Sequence, residues 1–124
     1  MAHIFVSRHG AMSACDQLYP QLPWQPAADV YRCAGGWLVK FELAGVRQED
    51  IQVEADNRGI TVSGSRRDFR QLELQETHLM EIAYNRFERF VALPEAIENV
   101  QLRVEYRDGM LYVQAITMNK QEPR

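Results

Sequence analysis

At 124 residues the chain has room for one domain with short tails. Its 46% hydrophobic content suffices for a core, and a net charge of −3 with both signs mixed along the chain gives no basic face for nucleic acid. No apolar run approaches the ~20 residues of a membrane span, and Met1 to Met12 carry no apolar signal core after a basic start, so a cytoplasmic location is expected.

Residues 1–27 read as an N-terminal arm. Met12, Leu18, Leu22 and Trp24 are scattered among Pro20, Pro23 and Pro26 without a helical or strand period, although Ile4-Phe5-Val6 can extend briefly. Such a segment is poorly ordered alone, but its apolar groups need a partner. From Ala28 the pattern becomes β. Asp29–Arg32 is a short strand and Gly35-Gly36 a turn. Trp37, Val39, Phe41 and Leu43 share one face of the next strand, which Ala44-Gly45-Val46 breaks. Gln48-Glu49-Asp50 leads into the alternating Ile51–Ala55, Asp56–Gly59 turns the chain, and Ile60–Gly64 returns it.

Arg66 to Ala83 is charged and rich in Glu and Gln, with Leu72, Leu74, Leu79 and Met80 interspersed. Propensity alone predicts a helix over Gln71–His78, while the Leu72/Leu74 alternation allows an edge strand. The aromatic-rich Phe87–Ala92 ends in Leu93-Pro94. Val100, Leu102, Val104 and Tyr106 then alternate with Gln101, Arg103 and Glu105. Asp108-Gly109 separates that run from a last apolar strand, the strongest short-range hairpin signal in the chain. About seven short strands with turns every eight to twelve residues predict an all-β antiparallel sandwich over 28–116, followed by a short C-terminal tail, 117–124.

Chemistry-bearing patterns are sparse. Ile4-Phe5-Val6-Ser7-Arg8-His9-Gly10 resembles the apolar-x-Arg-His-Gly opening of histidine phosphatases. That site needs further Arg, Glu and His residues in a large α/β domain, and the only later histidine is His78, so the tripeptide reads as incidental. His3, His9, Cys15 and Cys33 have no metal-ligand spacing. Two cysteines make no disulfide framework. Glu73, Glu76 and Glu81 lie in a charged stretch that reads as a solvated face. No glycine-rich phosphate loop is present. The expectation is a protein that is not an enzyme and needs no cofactor.

Six pieces of the chain, in order, resemble the alpha-crystallin domain of small heat-shock proteins. They are Trp24 with Pro26-Ala27-Ala28-Asp29-Val30-Tyr31; Glu42-Leu43-Ala44-Gly45-Val46, with Ala44 for the family's Pro; Glu49-Asp50-Ile51-Gln52-Val53; Ile60-Thr61-Val62-Ser63-Gly64-Ser65-Arg66, with Ser65 for Glu; Tyr84-Asn85-Arg86-Phe87-Glu88-Arg89 through Leu93-Pro94, with Asn85 for Gly; and Val104-Glu105-Tyr106-Arg107-Asp108-Gly109-Met110-Leu111. Asn is the next most tolerant residue after Gly for positive φ. The resemblance covers about Trp24 to Ile116.

The resemblance implies an immunoglobulin-like sandwich acting as an ATP-independent holdase for unfolding client proteins. Clients would meet arm residues Leu18, Leu22 and Trp24, and a groove flanked by Ile51–Ala55 and Val100–Tyr106, with Val53, Ala55, Leu102 and Val104 as its candidate residues. It also implies a homodimer by strand exchange. Leu72–Leu74 of the insertion would pair with Val30, Tyr31 and Arg32 of a neighbour, overriding the helix propensity, and Arg86 or Arg89 would make a loop-anchoring or inter-subunit ion pair, with Glu81 a nearby acid. The tail from Thr117 lacks the family's Ile-x-Ile/Val anchor, so the groove is expected to stay open and assemblies to be dimers or small oligomers. The alternative is a CS-domain-like co-chaperone or scaffold that recognises a folded partner.

Overall fold

The computed structural model describes residues 4–7, 22–68 and 73–118. Its strands are β1 (Phe5–Ser7), β2 (Ala28–Cys33), β3 (Gly36–Glu42), β4 (Ile51–Ala55), β5 (Gly59–Arg66), β6 (Asn85–Ala92), β7 (Val100–Arg107) and β8 (Met110–Thr117). One 3-10 turn, Gln48–Asp50, precedes β4. Two four-stranded sheets form, with orders β1-β4-β5-β6 and β2-β3-β8-β7. Every pairing is antiparallel except β1 with β4, which is parallel. The predicted sandwich is present, and each of the seven expected strands lies within a residue or two of its expected place.

The core follows from period 2. Trp37, Val39 and Phe41 of β3 pair with Ala115, Val113 and Leu111 of β8, and all six are buried. The opposing sheet contributes Ile51, Val53, Ile60, Val62, Phe87 and Val91, also buried. Each fully buried Val, Ile, Leu or Phe contributes roughly 1.5–3 kcal/mol of transfer free energy. Tyr106 closes the end of the sandwich, its hydroxyl 2.7 Å from the carbonyl oxygens of both Leu43 and Val46. Burial pushes its pKa up from 10.0, because a phenolate there would lose its water.

The β7–β8 hairpin has a two-residue loop, with Arg107 paired to Met110 and positive φ at both Asp108 (54°) and Gly109 (80°). This is the turn whose twist matches the strands. A Cβ on Gly109 would sit 2.9 Å from the Ala44 Cα. Gly109→Val is expected to destabilise the fold by more than ~1 kcal/mol, since neither the backbone angle nor the space suits it. An unchanged midpoint in thermal unfolding would count against this turn. Asn85 stands where the family pattern has Gly, and its φ is 70°, the left-handed conformation its short amide tolerates.

Glu73–Tyr84 forms neither helix nor strand. The helix propensity of this stretch has no packing face to support it: Leu74, Leu79, Met80 and Ile82 are all more than half exposed. Leu18, Leu72, Cys15 and Arg8-His9-Gly10 lie outside the described residues.

Candidate functional site

The Arg89 guanidinium of β6 donates to the Pro26 carbonyl at 2.9 Å, just before β2. This places β6 beside β2. The β1/β4 side of one sheet therefore stacks on the β7 side of the other. At one end of that side is an open hollow lined by Ala55, Asp56, Asn57, Ile97, Glu98, Asn99 and Val100. It lies between the end of β4 and the start of β7, and of the four candidate groove residues only Ala55 lines it. Leu102, Val104 and Tyr106 are only partly buried and pack on the margin of the core, because β7 is an edge strand. Val53 and Ala55 differ. Val53 is 0% exposed and belongs to the core floor, while Ala55, 7% exposed, touches the hollow only at its base.

The groove is not open on its β4 side, contrary to the expectation above. Phe5, Val6 and Ser7 align with Gln52, Val53 and Glu54, so β1 takes the backbone edge of β4. Val6 sits in register with the inward-facing Val53, and Ile4 packs against the core. Two apolar residues at i and i+2 thus face the same side, as alternation in a strand requires.

At the opposite edge, Trp24 is part of the domain rather than of a free arm. It bridges to Phe87, with the Trp24 amide donating to the Arg86 carbonyl at 3.2 Å and the Glu88 amide donating to the Trp24 carbonyl at 3.0 Å. Its ring lies 5.3 Å from that of Phe87, and the Arg66 guanidinium sits 4.2 Å over its face. Leu22, in contrast, is 95% exposed.

Arg66 is the anchoring arginine that sequence reasoning missed. Its Nε and Nη2 donate to the Ala83 carbonyl at 2.9 and 2.6 Å, and its Nη1 to the Ala44 carbonyl at 3.0 Å. One planar cation thus joins the start and the end of the 67–84 excursion and stacks on Trp24. The sequence placed it in a strand motif, and only the fold brings Ala83 and Trp24 to it. Lysine cannot reproduce the fork or the stacking. Arg66→Lys is expected to cost about 1–2 kcal/mol and to speed proteolysis within Glu73–Ile82. Unchanged melting together with an unchanged cleavage rate would reject the anchor.

The outer edge of β2 has no strand beside it among the described residues, and Val30 and Tyr31 are 39% and 45% exposed there. Arg32 lies 4.3 Å over the Trp37 ring and pairs with Glu95. Leu74 and Glu81 line a surface hollow of the excursion with Leu79, Met80, Ile82 and Tyr84. Of the candidate groove residues, Val53 is in the core, Ala55 lines the hollow, and Leu102 and Val104 lie partly buried on β7, while the β2 edge and the excursion are exposed. Among the described residues no three His, Cys, Asp or Glu side chains cluster as a metal site needs, and no helix is long and apolar enough to cross a membrane.

Two four-stranded sheets stacked as a sandwich, with β1 added in parallel to β4 of an otherwise antiparallel pair of sheets, define the class of fold. The chain belongs to the Hsp20/alpha crystallin family, whose model matches residues 29–124. Among similar proteins, small heat shock protein C2 of Rickettsia felis is 28% identical over 97 residues, covering 78% of this chain and 61% of that protein. Heat shock protein 16 of Schizosaccharomyces pombe is 27% identical over 117 residues, covering 91% and 82%. The first three such relatives are spanned by this chain over only 51–61% of their length. The solved structure of heat shock protein 16.0 from S. pombe superposes with a TM-score of 0.66 at 25% identity, covering 84% of this chain and 94% of that one. A small heat-shock protein from Xylella fastidiosa gives 0.64 at 21% identity, covering 83% and 94%.

Proposed function

We propose that this chain is an ATP-independent holdase of the small heat-shock type, working in the cytoplasm on partly unfolded proteins. The observation that carries this reading is the β4 edge, which already holds an extended segment with apolar side chains at alternate positions. Unfolding proteins expose such segments, and an added strand gains backbone hydrogen bonds whatever its sequence. Binding lowers the concentration of free aggregation-prone chains by mass action, and no nucleotide is required. Leu22 and the partly buried Leu102 and Val104 supply further apolar contact.

The working unit in this reading is a homodimer. The exposed edge of β2 at Val30–Arg32 receives a segment near Leu72–Leu74 from a second copy, and the exchange closes two edges that would otherwise pair indiscriminately. The CS-domain-like alternative is not favoured. Such modules join the corresponding strands tightly, whereas residues 67–84 separate β5 from β6 here.

The test is light scattering from an unrelated protein heated with and without the purified chain, in the absence of nucleotide. Suppression at near-stoichiometric ratios is expected. Unchanged aggregation across a tenfold excess would reject the holdase.

A further inference from the structure

The root of the arm and the exit of the 67–84 excursion meet at one cation. Arg66 donates to the Ala83 and Ala44 carbonyls, and its Cζ lies 4.2 Å from the centroid of the Trp24 ring. A planar guanidinium meets both demands, because its N–H groups point within the plane and its face is left for an aromatic ring. The Tyr84 ring is 5.7 Å from the same carbon. Trp24 also holds the exit directly, its indole N–H donating to the Asn85 carbonyl at 3.3 Å. The entrance is tied elsewhere. There Arg67 pairs with both carboxylate oxygens of Asp50, at 2.8 Å each, on the 3-10 turn before β4.

Cover by the indole makes the Arg66 bonds to Ala83 stronger, since less water competes for the same donors and carbonyl. Lifting the indole removes that cover and the Asn85 bond together. The exit half carries Leu79, Met80 and Ile82, all exposed. On the other side of the cation, Leu22 stands almost fully exposed two residues before Trp24. A partner that takes hold of Leu22 therefore pulls on Trp24.

We propose that Trp24 is a latch on the exit half of the excursion, coupled to it through Arg66. With the indole docked, Ala83 is held and the apolar run at 79–82 stays against the domain. With the indole lifted, that run is released while Arg67 keeps the entrance clamped. The coupling is reciprocal: a ligand that lifts the arm loosens the exit, and a ligand that draws the exit away weakens the seat of Trp24 by the same factor. This deepens the holdase reading and rests on it for the identity of the natural trigger. A client that engages the arm at Leu22 thereby gains Leu79, Met80 and Ile82 as a second contact. The latch itself is a property of the single chain.

The test is a double-substitution cycle on the full chain: the parent, Trp24→Leu, Arg66→Met and the pair together. The readout is limited digestion by a protease that cuts after aromatic and leucine side chains, with the fragments mapped by mass. Trp24→Leu is expected to speed cutting after Leu79 and Tyr84 about fivefold, the low end of the range for coupled sites, and to leave cutting after Phe69 at the entrance unchanged. In the Arg66→Met background the same substitution is expected to add less than about twofold, within the scatter of independent sites. Trp24→Phe keeps a ring on Phe87 but loses the indole N–H, and it should show the same pattern at reduced size. An equal acceleration by Trp24→Leu in both backgrounds, or none in either, overturns the latch. So does faster cutting at the buried Phe41 and Leu111 in the Trp24→Phe variant, which would make Trp24 a support of the whole sandwich. The aggregation assay on the same proteins separates the two ideas. A parent chain that suppresses nothing yet shows the non-additive cycle keeps the latch and loses the holdase, and one that suppresses aggregation with an additive cycle loses the latch alone.

Discussion

Gly64→Val should unfold this protein at moderate temperature. Gly64 lies in β5, paired with Ile51 on one side and Phe87 on the other, in the middle of its sheet. A Cβ there would sit 1.9 Å from the Asp50 carbonyl oxygen and 2.8 Å from the Phe87 ring. The carbonyl belongs to the 3-10 turn that launches β4, so it cannot swing away without displacing that strand. Phe87 is fully buried and supports Trp24, which Arg66 covers in turn. Moving the ring therefore disturbs a stack of three side chains from three segments. Overpacking of a core costs about 1–3 kcal/mol and more when backbone must shift. A cost of about 3 kcal/mol or more is expected, and at roughly 4–8 °C per kcal/mol the melting midpoint falls by at least ~12 °C. A midpoint within a couple of degrees of the parent would mean that Gly64 does not face Phe87.

The same residues show how far the sequence could be read. The interior strands were legible because burial on one face leaves a period-2 trace: Trp37, Val39 and Phe41 are buried where the alternation puts them. The alternation of Val100, Leu102, Val104 and Tyr106 was equally clear, yet only Val100 is fully buried, because β7 stands at an edge and the other three keep part of their surface in solvent. Period alone does not distinguish an edge from a centre. β1 left little trace, since two inward positions, Ile4 and Val6, cannot define an alternation and their partner strand is remote in sequence. Trp24 read as an arm residue for the same reason. Its site is built by Phe87, Arg66 and Asn85, and no local pattern announces them. The excursion after β5 was ambiguous because propensity favoured a helix that nothing in the fold packs against.

Deleting Arg70–His78 should convert the protein to monomers without unfolding it. Arg66 and Ala83, which clasp the two ends of the excursion, lie outside the deletion, as do the Trp24–Phe87 contact and every strand of the sandwich. The deletion removes Leu72 and Leu74, the residues proposed to enter a neighbour's β2 edge. Leu74 is 59% exposed in the single chain and so has most of its apolar surface left to bury. The receiving edge is exposed too, at Val30 and Tyr31, and its backbone groups on that side have no strand partner among the described residues. In a symmetric exchange both leucines count twice. Four leucine side chains at about 1.5 kcal/mol each amount to roughly 6 kcal/mol, or about four decades in dissociation constant. A dimer stable at nanomolar concentration would then dissociate at the micromolar concentrations of a sedimentation experiment. Thermal unfolding of the deleted chain should remain cooperative, because the core keeps all its buried side chains. A deleted chain that still sediments as a dimer would place the interface elsewhere, and the β7 edge would become the first surface to examine. If the deleted chain is monomeric and no longer suppresses aggregation, the dimer is the working unit. If it is monomeric and remains active, binding resides in the single sandwich and its β4 edge.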